Sequence, residues 1–121
     1  MNENEILPLF DQWNQALQTG DPAKVVALYD EQAILLPTVS NQVRHNHAEI
    51  ADYFSMFLTK QPQGKIDEAN IRIYGEIAIN SGVYTFTLGD GSQVQARYTF
   101  AYRFDGERWS IIEHHSSQMP E

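Results

Sequence analysis

The sequence contains no cysteine, which excludes disulfide bonds, thiolate nucleophiles and zinc–thiolate sites together. Positive charge is scarce, because eight Lys and Arg face sixteen Asp and Glu and the formal net charge is -8. A field of this sign repels polyanions, so we expect no nucleic acid partner. The acidic opening 1–5 is followed by no apolar run of the length that a signal peptide or a membrane span needs. We therefore expect a soluble, cytoplasmic protein with no membrane partner.

What the sequence does contain is the composition of one folded domain. Of its 121 residues, 42% are hydrophobic and 12% are aromatic, which is typical of a globular chain and not of a disordered one. A chain of this length buries roughly two thirds of its unfolded surface without disulfides or metals. We predict a single domain over residues 1–121.

Helical patterns fill the first half of the chain. Between residues 6 and 19, four apolar residues recur at steps of four, three and four: Ile6, Phe10, Trp13 and Leu17. Asp21 followed by Pro22 is typical of a capped helix start and predicts a second helix that ends near Tyr29. Asn46 with Glu49 resembles a capping box and predicts a third helix over residues 46–60. Its broad apolar face comprises Ile50, Tyr53, Phe54, Phe57 and Leu58.

The second half of the chain alternates between apolar and polar residues, as strands do. The pattern predicts strands over residues 69–73, 77–88, 92–104 and 108–117, after a short strand at 33–36. The turns between the last four strands are short, so these strands must be antiparallel. A long twisted sheet hides its apolar face by curling around the helices. The sequence therefore predicts an α+β fold, a cone-shaped roll whose N-terminal helices pack on a curved antiparallel sheet, with a cavity between them.

The last predicted strand begins apolar and ends in the polar sequence Glu-His-His-Ser-Ser. Such an end predicts a small polar pocket. A three-residue loop at 105–107 would put His114 and Ser116 on the inner face of the sheet, whereas a two-residue turn would put His115 and Ser117 there. We choose His114 and Ser116.

Two further residues of this strand have expected structural roles. Glu113 is the only acid in its apolar surroundings, and we expect an ion pair across the sheet with Arg97 or Arg103. Trp109 is expected on the outer face of the sheet. An aromatic outer face of this kind favours dimers or rings.

The four histidines do not form a metal-ligand pattern. His45 and His47 flank the start of the third helix, where we expect surface or capping roles. His114 and His115 are adjacent on a strand and must point to opposite faces. A catalytic zinc needs about three protein ligands on one centre, so we expect no metal and no cofactor. No glycine-flanked elbow holds Ser116, which argues against acyl-enzyme chemistry.

Five segments carry a family resemblance over nearly the whole chain: Leu35–Asn41, Asp52–Phe54, Tyr84–Thr87, Ala96–Phe100 and His114–Pro120. In this order they resemble bacterial and algal proteins of the calmodulin-kinase association-domain type, within the NTF2-like (SnoaL-like) superfamily. The resemblance implies an NTF2-like, cystatin-like roll. The kinase domain carries basic pocket residues where this chain has Ser116, so we expect a smaller and more neutral pocket, in which Arg97 compensates in part.

The combination of the Leu-Pro-Thr and His-His-Ser-Ser segments is similar to the iota-class carbonic anhydrases, some of which work without a metal. In that group a threonine, a tyrosine and a serine near bound bicarbonate are implicated, with a histidine close by. The resemblance implies reversible hydration of carbon dioxide, with carbon dioxide and bicarbonate as the small-molecule substrates. The implied catalytic residues are Thr38, Tyr53, His114 and Ser116. A homodimer or a higher homo-oligomer is expected.

Hydration without zinc requires a base within about 3 Å of the attacking water, and a histidine of ordinary pKa suits that role. The hypothesis is that the three hydroxyl groups hold water and bicarbonate while His114 accepts or relays the proton. Two alternatives stay open. One is a non-catalytic association or ligand-binding module, and the other is an isomerase, dehydratase or cyclase, which would need both an acid and a base inside the cone.

Overall fold

The computed structural model of the chain describes residues 2–38 and 40–120, so that Met1, Val39 and Glu121 lie outside the described residues. The predicted domain 1–121 and the segment Leu35–Asn41 are therefore described except at these positions. The helices are α1 (Glu3–Gln18), α2 (Pro22–Val26) and α3 (His47–Phe57), the last continued by a 3-10 turn at Leu58–Lys60. The strands are β1 (Tyr29–Leu36), β2 (Gln63–Tyr74), β3 (Ile77–Thr87), β4 (Gln93–Phe104) and β5 (Trp109–Gln118).

The first helix forms as its pattern predicts. The Asn2 side chain accepts a hydrogen bond from the Asn4 backbone N–H at 2.9 Å, which caps the helix start. The four residues of the predicted face, Ile6, Phe10, Trp13 and Leu17, are all buried. Trp13 is central to the core, since its ring lies 5.3 Å from that of Phe100 and 6.4 Å from that of Phe54.

The second helix starts as predicted but ends early. The Asp21 carboxylate accepts from the Ala23 N–H at 3.0 Å, and Pro22 occupies the first turn. The prediction that the helix continues to Tyr29 is wrong, because it ends at Val26 and Tyr29 begins β1. The backbone of Tyr29 pairs with Ile111 of β5, and this pairing takes the segment out of the helix.

The third helix carries a displaced version of the predicted capping box. The Asn46 side chain accepts from the Glu49 N–H at 2.9 Å, as predicted. The Glu49 carboxylate, however, accepts from the backbone N–H of His45 at 2.9 Å, one residue earlier than in a regular box. The helix closes through its 3-10 turn at Gln61, whose φ is 52°, and β2 starts only two residues later.

The five strands form one sheet in the order β1-β5-β4-β3-β2. The four consecutive strands β2 to β5 are antiparallel, as predicted, whereas β1 runs parallel to β5 at the sheet edge. One face of the sheet is buried, through Ala78, Asn80, Tyr84 and Phe86 of β3 and Ala96, Tyr98, Phe100 and Tyr102 of β4. The α+β fold with N-terminal helices on a largely antiparallel sheet is confirmed.

The inner face of β5 follows from a bulge that the sequence did not reveal. The β4–β5 turn leaves Phe104 opposite Trp109, so the predicted three-residue loop is wrong. A register shift between Ala101 and Tyr102 then inserts one extra residue in β5 and reverses the alternation. His114 consequently lies opposite Phe100 and Ser116 opposite Tyr98, on the buried face that was predicted but in a different register.

The same register corrects two expectations about β5. Glu113 lies exposed opposite Ala101, and it forms no ion pair with Arg97 or Arg103 among the described residues. Trp109 precedes the bulge and is half-buried against the core, 5.2 Å from the ring of Phe104. It therefore does not belong to the outer face of the sheet, where it was expected.

A glycine in β3 is required by close approach of β2. A Cβ built on Gly82 would lie 2.0 Å from the backbone oxygen of Glu68, next to the register shift between Ile66 and Glu68. We predict that Gly82→Ala lowers the free energy of unfolding in urea by at least about 2 kcal/mol, because the sheet backbone must move.

Gly89→Ala is the matched control for this prediction. Its Cβ would lie 2.3 Å from the Gln61 side-chain oxygen, which is the end of an exposed, flexible side chain and can rotate away. The cost at Gly89 should therefore be clearly smaller. Equal losses of stability for the two variants would contradict this account of the sheet.

Candidate functional site

A cavity lies between the helices and the inner face of the sheet. Its volume is about 80 Å³, several times the roughly 10–15 Å³ that one water molecule requires. Much of the wall is apolar, with contributions from Trp13, Leu35, Phe54, Phe57, Phe86 and Ala96. The polar part of the wall consists of Thr38, Tyr53, Lys60, Tyr84, His114 and Ser116. The cavity can hold a triatomic molecule together with a water.

Ser116 is the meeting point of the hydroxyl groups. Its Oγ lies 2.5 Å from Oγ1 of Thr38 and 2.7 Å from the phenolic oxygen of Tyr84. Thr38 follows the end of β1, Tyr84 lies on the inner face of β3 and Ser116 lies near the end of β5. Parallel pairing of β1 with β5 brings Thr38 to the serine, because residue 36 pairs with residue 115 at the edge of the sheet.

His114 lies next to this cluster and connects it to the core through hydrogen bonds. Its Nε2 is 3.3 Å from the Tyr84 hydroxyl, and its Nδ1 is 2.8 Å from the Tyr29 hydroxyl. Trp13 Nε1 donates to the same Tyr29 oxygen at 3.2 Å. The result is one continuous chain of hydrogen bonds from the indole of α1 to the loop after β1.

Two requirements set the direction of this chain, because an indole N–H can only donate and the buried proton of Tyr29 needs an acceptor of its own. The buried Tyr29 oxygen accepts from Trp13, and its own proton then has Nδ1 of His114 as its acceptor. A neutral imidazole with an unprotonated Nδ1 carries its proton on Nε2 and donates it to Tyr84. Tyr84 in turn donates to Ser116, which also accepts from Thr38, so the Ser116 hydroxyl proton is left for a molecule in the cavity.

The imidazole of His114 is held neutral. Burial lowers the pKa of His114 from its ordinary value of 6.5 to about 3, with a smaller contribution from the neighbouring His115. Aromatic rings surround it, since Phe100 stacks on it at 4.1 Å and Trp13 meets it edge-on at 5.4 Å. His114 is therefore not the base of ordinary pKa that the sequence suggested, and both of its nitrogens are already engaged.

Tyr53 reaches the cavity from α3 but stands apart from the hydrogen-bond chain. Burial raises the pKa of Tyr53 to about 12, and the Arg44 guanidinium, 5.8 Å from its ring, opposes that shift. Arg44 is itself held by the Asp52 carboxylate at 2.8 Å and by the Glu49 carbonyl at 3.2 Å. Among the described side chains, none forms a hydrogen bond with the Tyr53 hydroxyl, which leaves this donor available to a ligand.

All four residues predicted for the site, Thr38, Tyr53, His114 and Ser116, line this one cavity. Sequence reasoning missed Tyr84, which also lines the cavity, and Tyr29, whose hydroxyl contacts His114. Tyr84 alternates with Phe86 on the inner face of β3, and this spacing was a signal that could have identified it. Tyr29 had been assigned to a helix, which removed it from the sheet and from contact with His114.

The other histidines and Ser117 lie outside the cavity wall. His45 is exposed and its Nδ1 lies 3.0 Å from the Glu49 carboxylate. His47 Nε2 donates to the backbone oxygen of Tyr29 at 2.8 Å. His45 therefore has the surface role that was expected, whereas His47 is part-buried and connects the start of α3 to the backbone of β1. His115 is exposed on the opposite face of β5, where Ser117 shares its alternation.

Within residues 2–38 and 40–120, His, Asp and Glu side chains do not gather in a group of three that could hold a metal ion. The described helices also include none that is long and apolar enough to cross a membrane.

The helices, the sheet and the cavity between them form an NTF2-like, cystatin-like fold. An NTF2-like protein of that fold from Novosphingobium aromaticivorans superposes with a TM-score of 0.80 at 14% identity, over 96% of this chain and 80% of that one. An NTF2-like protein from Streptomyces avermitilis, a dehydratase candidate, superposes with a TM-score of 0.82 at 14% identity, over 98% and 96% of the two chains.

Residues 2–120 match the family model of the calcium/calmodulin dependent protein kinase II association domain, and the chain belongs to that family. A Xanthomonas campestris protein bearing the same domain name is 51% identical, with a TM-score of 0.95, over 100% of this chain and 90% of that chain. None of the curated proteins matches the chain.

The neutral state of His114 predicts how stability depends on pH. The folded-state pKa of about 3 lies below the ordinary value of 6.5, so only the unfolded chain binds this proton between those values. Stability should therefore fall as pH drops from 6.5 toward 3, with a contribution from His114 of about 1.4 kcal/mol per pH unit. The measurement is urea unfolding across this range.

His114→Gln is the matched variant for this measurement, since Gln can also donate and accept but does not titrate. Its stability should decline less steeply with acid than that of the natural chain. Identical slopes for the two proteins would show that His114 is not neutral in the folded state.

Proposed function

We propose that this protein reversibly hydrates carbon dioxide to bicarbonate without a metal. The observation that carries the proposal is the position of Ser116, where the Thr38 and Tyr84 hydroxyls converge within 2.7 Å on the wall of a small, largely apolar cavity. An apolar wall accommodates neutral carbon dioxide. Hydroxyl donors at one end of the cavity suit the oxygens of bicarbonate.

The reaction joins the oxygen of a water to the carbon of carbon dioxide, and one water proton must leave. Thr38 and Ser116 hold and orient the water, while Tyr53 donates to the oxygen on which negative charge develops. Donors fixed in this way are worth about 3 kcal/mol each in a site that excludes water. Because the cavity is already formed, no reorganisation is needed when the charge appears.

The proton leaves toward solvent and not through the core. The chain from Ser116 through Tyr84 and His114 ends at the indole N–H of Trp13, which cannot accept a proton. His114 therefore acts as a positioning residue that keeps Tyr84 donating to Ser116. The released proton goes to water or buffer at the open side of the cavity, so we expect modest turnover that rises with pH.

Relatives of the same fold support an enzymatic function in general, without supporting this reaction in particular. Candidates for a dehydratase and for an aromatic ring hydroxylase occur among the structural neighbours, at 14% and 21% identity. At those identities the likeness concerns the fold, which can hold a catalytic cavity. The small volume of the cavity, about 80 Å³, and its neutral His114 support a small substrate over acid–base chemistry on a large organic molecule.

The proposal predicts a sharp contrast between two neighbouring serines. Ser116→Ala should lower the rate of carbon dioxide hydration by at least about 100-fold, because it removes the oxygen that the other hydroxyls hold. Ser117→Ala, on the opposite face of the strand, should leave the rate within a factor of about two. Stopped-flow hydration assays with a pH indicator measure both, at a temperature below the melting transition of each variant, because Ser116→Ala also removes the acceptor of the buried Tyr84 hydroxyl.

The same assay on protein treated with a chelator tests the metal-independent part of the proposal. Undiminished hydration after chelation is the expected result. Loss of activity that zinc or manganese restores would overturn it, as would equal effects of the two serine substitutions.

A second candidate function is homo-oligomeric association, with or without catalysis. The outer face of β3 carries three half-buried apolar residues, Ile77, Ile79 and Val83, and exposed Tyr74 of β2 lies beside Ile77. An apolar patch of this kind is typical of interfaces between copies of a chain. The family model matched by this chain is itself that of an association domain.

Sedimentation tests this second candidate. The natural chain should sediment as a dimer or a higher oligomer, and Ile79→Arg should dissociate it while the circular dichroism spectrum is retained, because a charge cannot be buried at such an interface. A monomer at all concentrations would rule out association. A clean oligomer with no hydration activity would leave association as the function.

A further inference from the structure

The cavity opens to solvent at a rim made of two chain segments. Lys60, at the end of the 3-10 turn after α3, and Leu88, next to the β3–β4 turn, both line the cavity. Val94, at the start of β4, completes this side of the wall and is 42% exposed. Lys60 and Val94 are exposed and Leu88 is half-buried, whereas Trp13 on the wall of the cavity is 1% exposed.

Backbone contacts hold the rim in place. The Gly89 N–H donates to the Lys60 carbonyl at 2.8 Å, and the Leu88 N–H donates to the Ser92 carbonyl at 2.8 Å. Lys60 therefore sits on a backbone that is fixed relative to the β3–β4 turn.

The rim carries one positive charge, and a negative charge lies in the adjoining turn. Lys60 is the only charged side chain among the described residues that line the cavity, since His114 is neutral. Asp90 lies in the turn beside it. Hydrogen bonds from Ser92 lower the pKa of Asp90, and Lys60 contributes to the same shift, so the carboxylate is ionised and within electrostatic reach of the ammonium.

A cation at this place has a specific effect in this protein. The net charge of -8 repels anions from the molecule as a whole. An ammonium group at the opening of a small, low-dielectric cavity reverses the local field and raises the concentration of anions there. The hydroxyl groups of Tyr53 and Ser116 then offer hydrogen-bond donors to the anion at the inner wall.

We propose that the cavity is a binding site for a small monovalent oxyanion, attracted by Lys60 at the rim and opposed by Asp90. The inference rests on the proposed function in that bicarbonate is such an anion. It goes beyond that function by assigning the entry and retention of the anion to a residue that takes no part in the bond-making step. The two rim charges thereby set the affinity in opposite directions.

The test measures binding of two probes, 13C-labelled bicarbonate and formate, at constant ionic strength. Binding is followed through the backbone amide shifts of residues 38 and 116 in 15N-labelled protein, which also report where the anion binds. Formate separates anion binding from the reaction. It is a one-carbon oxyanion similar in shape to bicarbonate, but it is neither a substrate nor a product of carbon dioxide hydration.

Lys60→Gln should weaken binding of both probes by roughly threefold or more, the effect expected of one unit charge close to the ligand in a largely aqueous setting. Lys60→Arg should restore it, and Asp90→Asn should tighten it, because the amide oxygen still accepts from Ser92 while the charge is gone. Lys24→Gln removes a lysine remote from the rim in α2, and should change nothing.

The outcomes are distinct for the two claims. Formate binding that follows the rim charges, in a protein without hydration activity, supports the anion site and rejects the proposed reaction. Hydration activity with affinities that do not depend on Lys60 and Asp90 rejects the role of the two rim charges and leaves the reaction standing. If neither probe perturbs the amides of residues 38 and 116 in the natural chain, the anion site is rejected.

Discussion

Burial of a neutral imidazole between two tyrosine hydroxyls is the constraint on which the site depends. His114 is 3% exposed, its two nitrogens face Tyr29 and Tyr84, and the rings of Phe100 and Trp13 cover it. A charged imidazolium would be costly there, while an unpartnered imidazole nitrogen would cost the loss of its hydrogen bond. The neutral ring with both partners satisfies the core, and the donation from Trp13 to the Tyr29 oxygen then sets the donor direction as far as Ser116.

The strand geometry is what allows that arrangement. Without the extra residue between Ile111 and Glu113, the alternation of β5 that begins with Ile111 opposite Tyr102 would turn His115 and Ser117 inward. The bulge therefore selects which half of the His-His-Ser-Ser sequence faces the cavity. Parallel pairing of β1 with the same strand then brings the Thr38 loop to Ser116. Fold and site are linked through one irregularity in the sheet.

Much of this could be predicted from the sequence, for identifiable reasons. The faces of α1 and β4 follow from strong apolar periodicity, and the cap at Asn46 follows from side-chain chemistry. The early end of α2 could not be predicted, because pairing of Tyr29 with a strand far along the chain overrides local helical preference. The direction of the His114 side chain was predicted correctly from a loop length that is wrong, since the bulge compensated for the turn.

The sequence predicted which residues line the site better than it predicted their chemistry. Sequence identifies a histidine with an ordinary pKa, whereas the structure lowers that pKa through burial among residues from α1, β1, β3 and β4. Tyr84 was overlooked because a tyrosine in an alternating strand is usually core packing, and only the approach of Ser116 gives its hydroxyl a role. The absence of an ion pair at Glu113 has the same origin, since cross-strand partners depend on the bulge.

Nuclear magnetic resonance of the His114 ring nitrogens, in 15N-labelled protein between pH 4 and 8, tests the central claim most directly. The account predicts a ring that stays neutral throughout, with the proton on Nε2 and an unprotonated Nδ1. A ring that becomes doubly protonated near pH 6, or one that carries its proton on Nδ1, would contradict it.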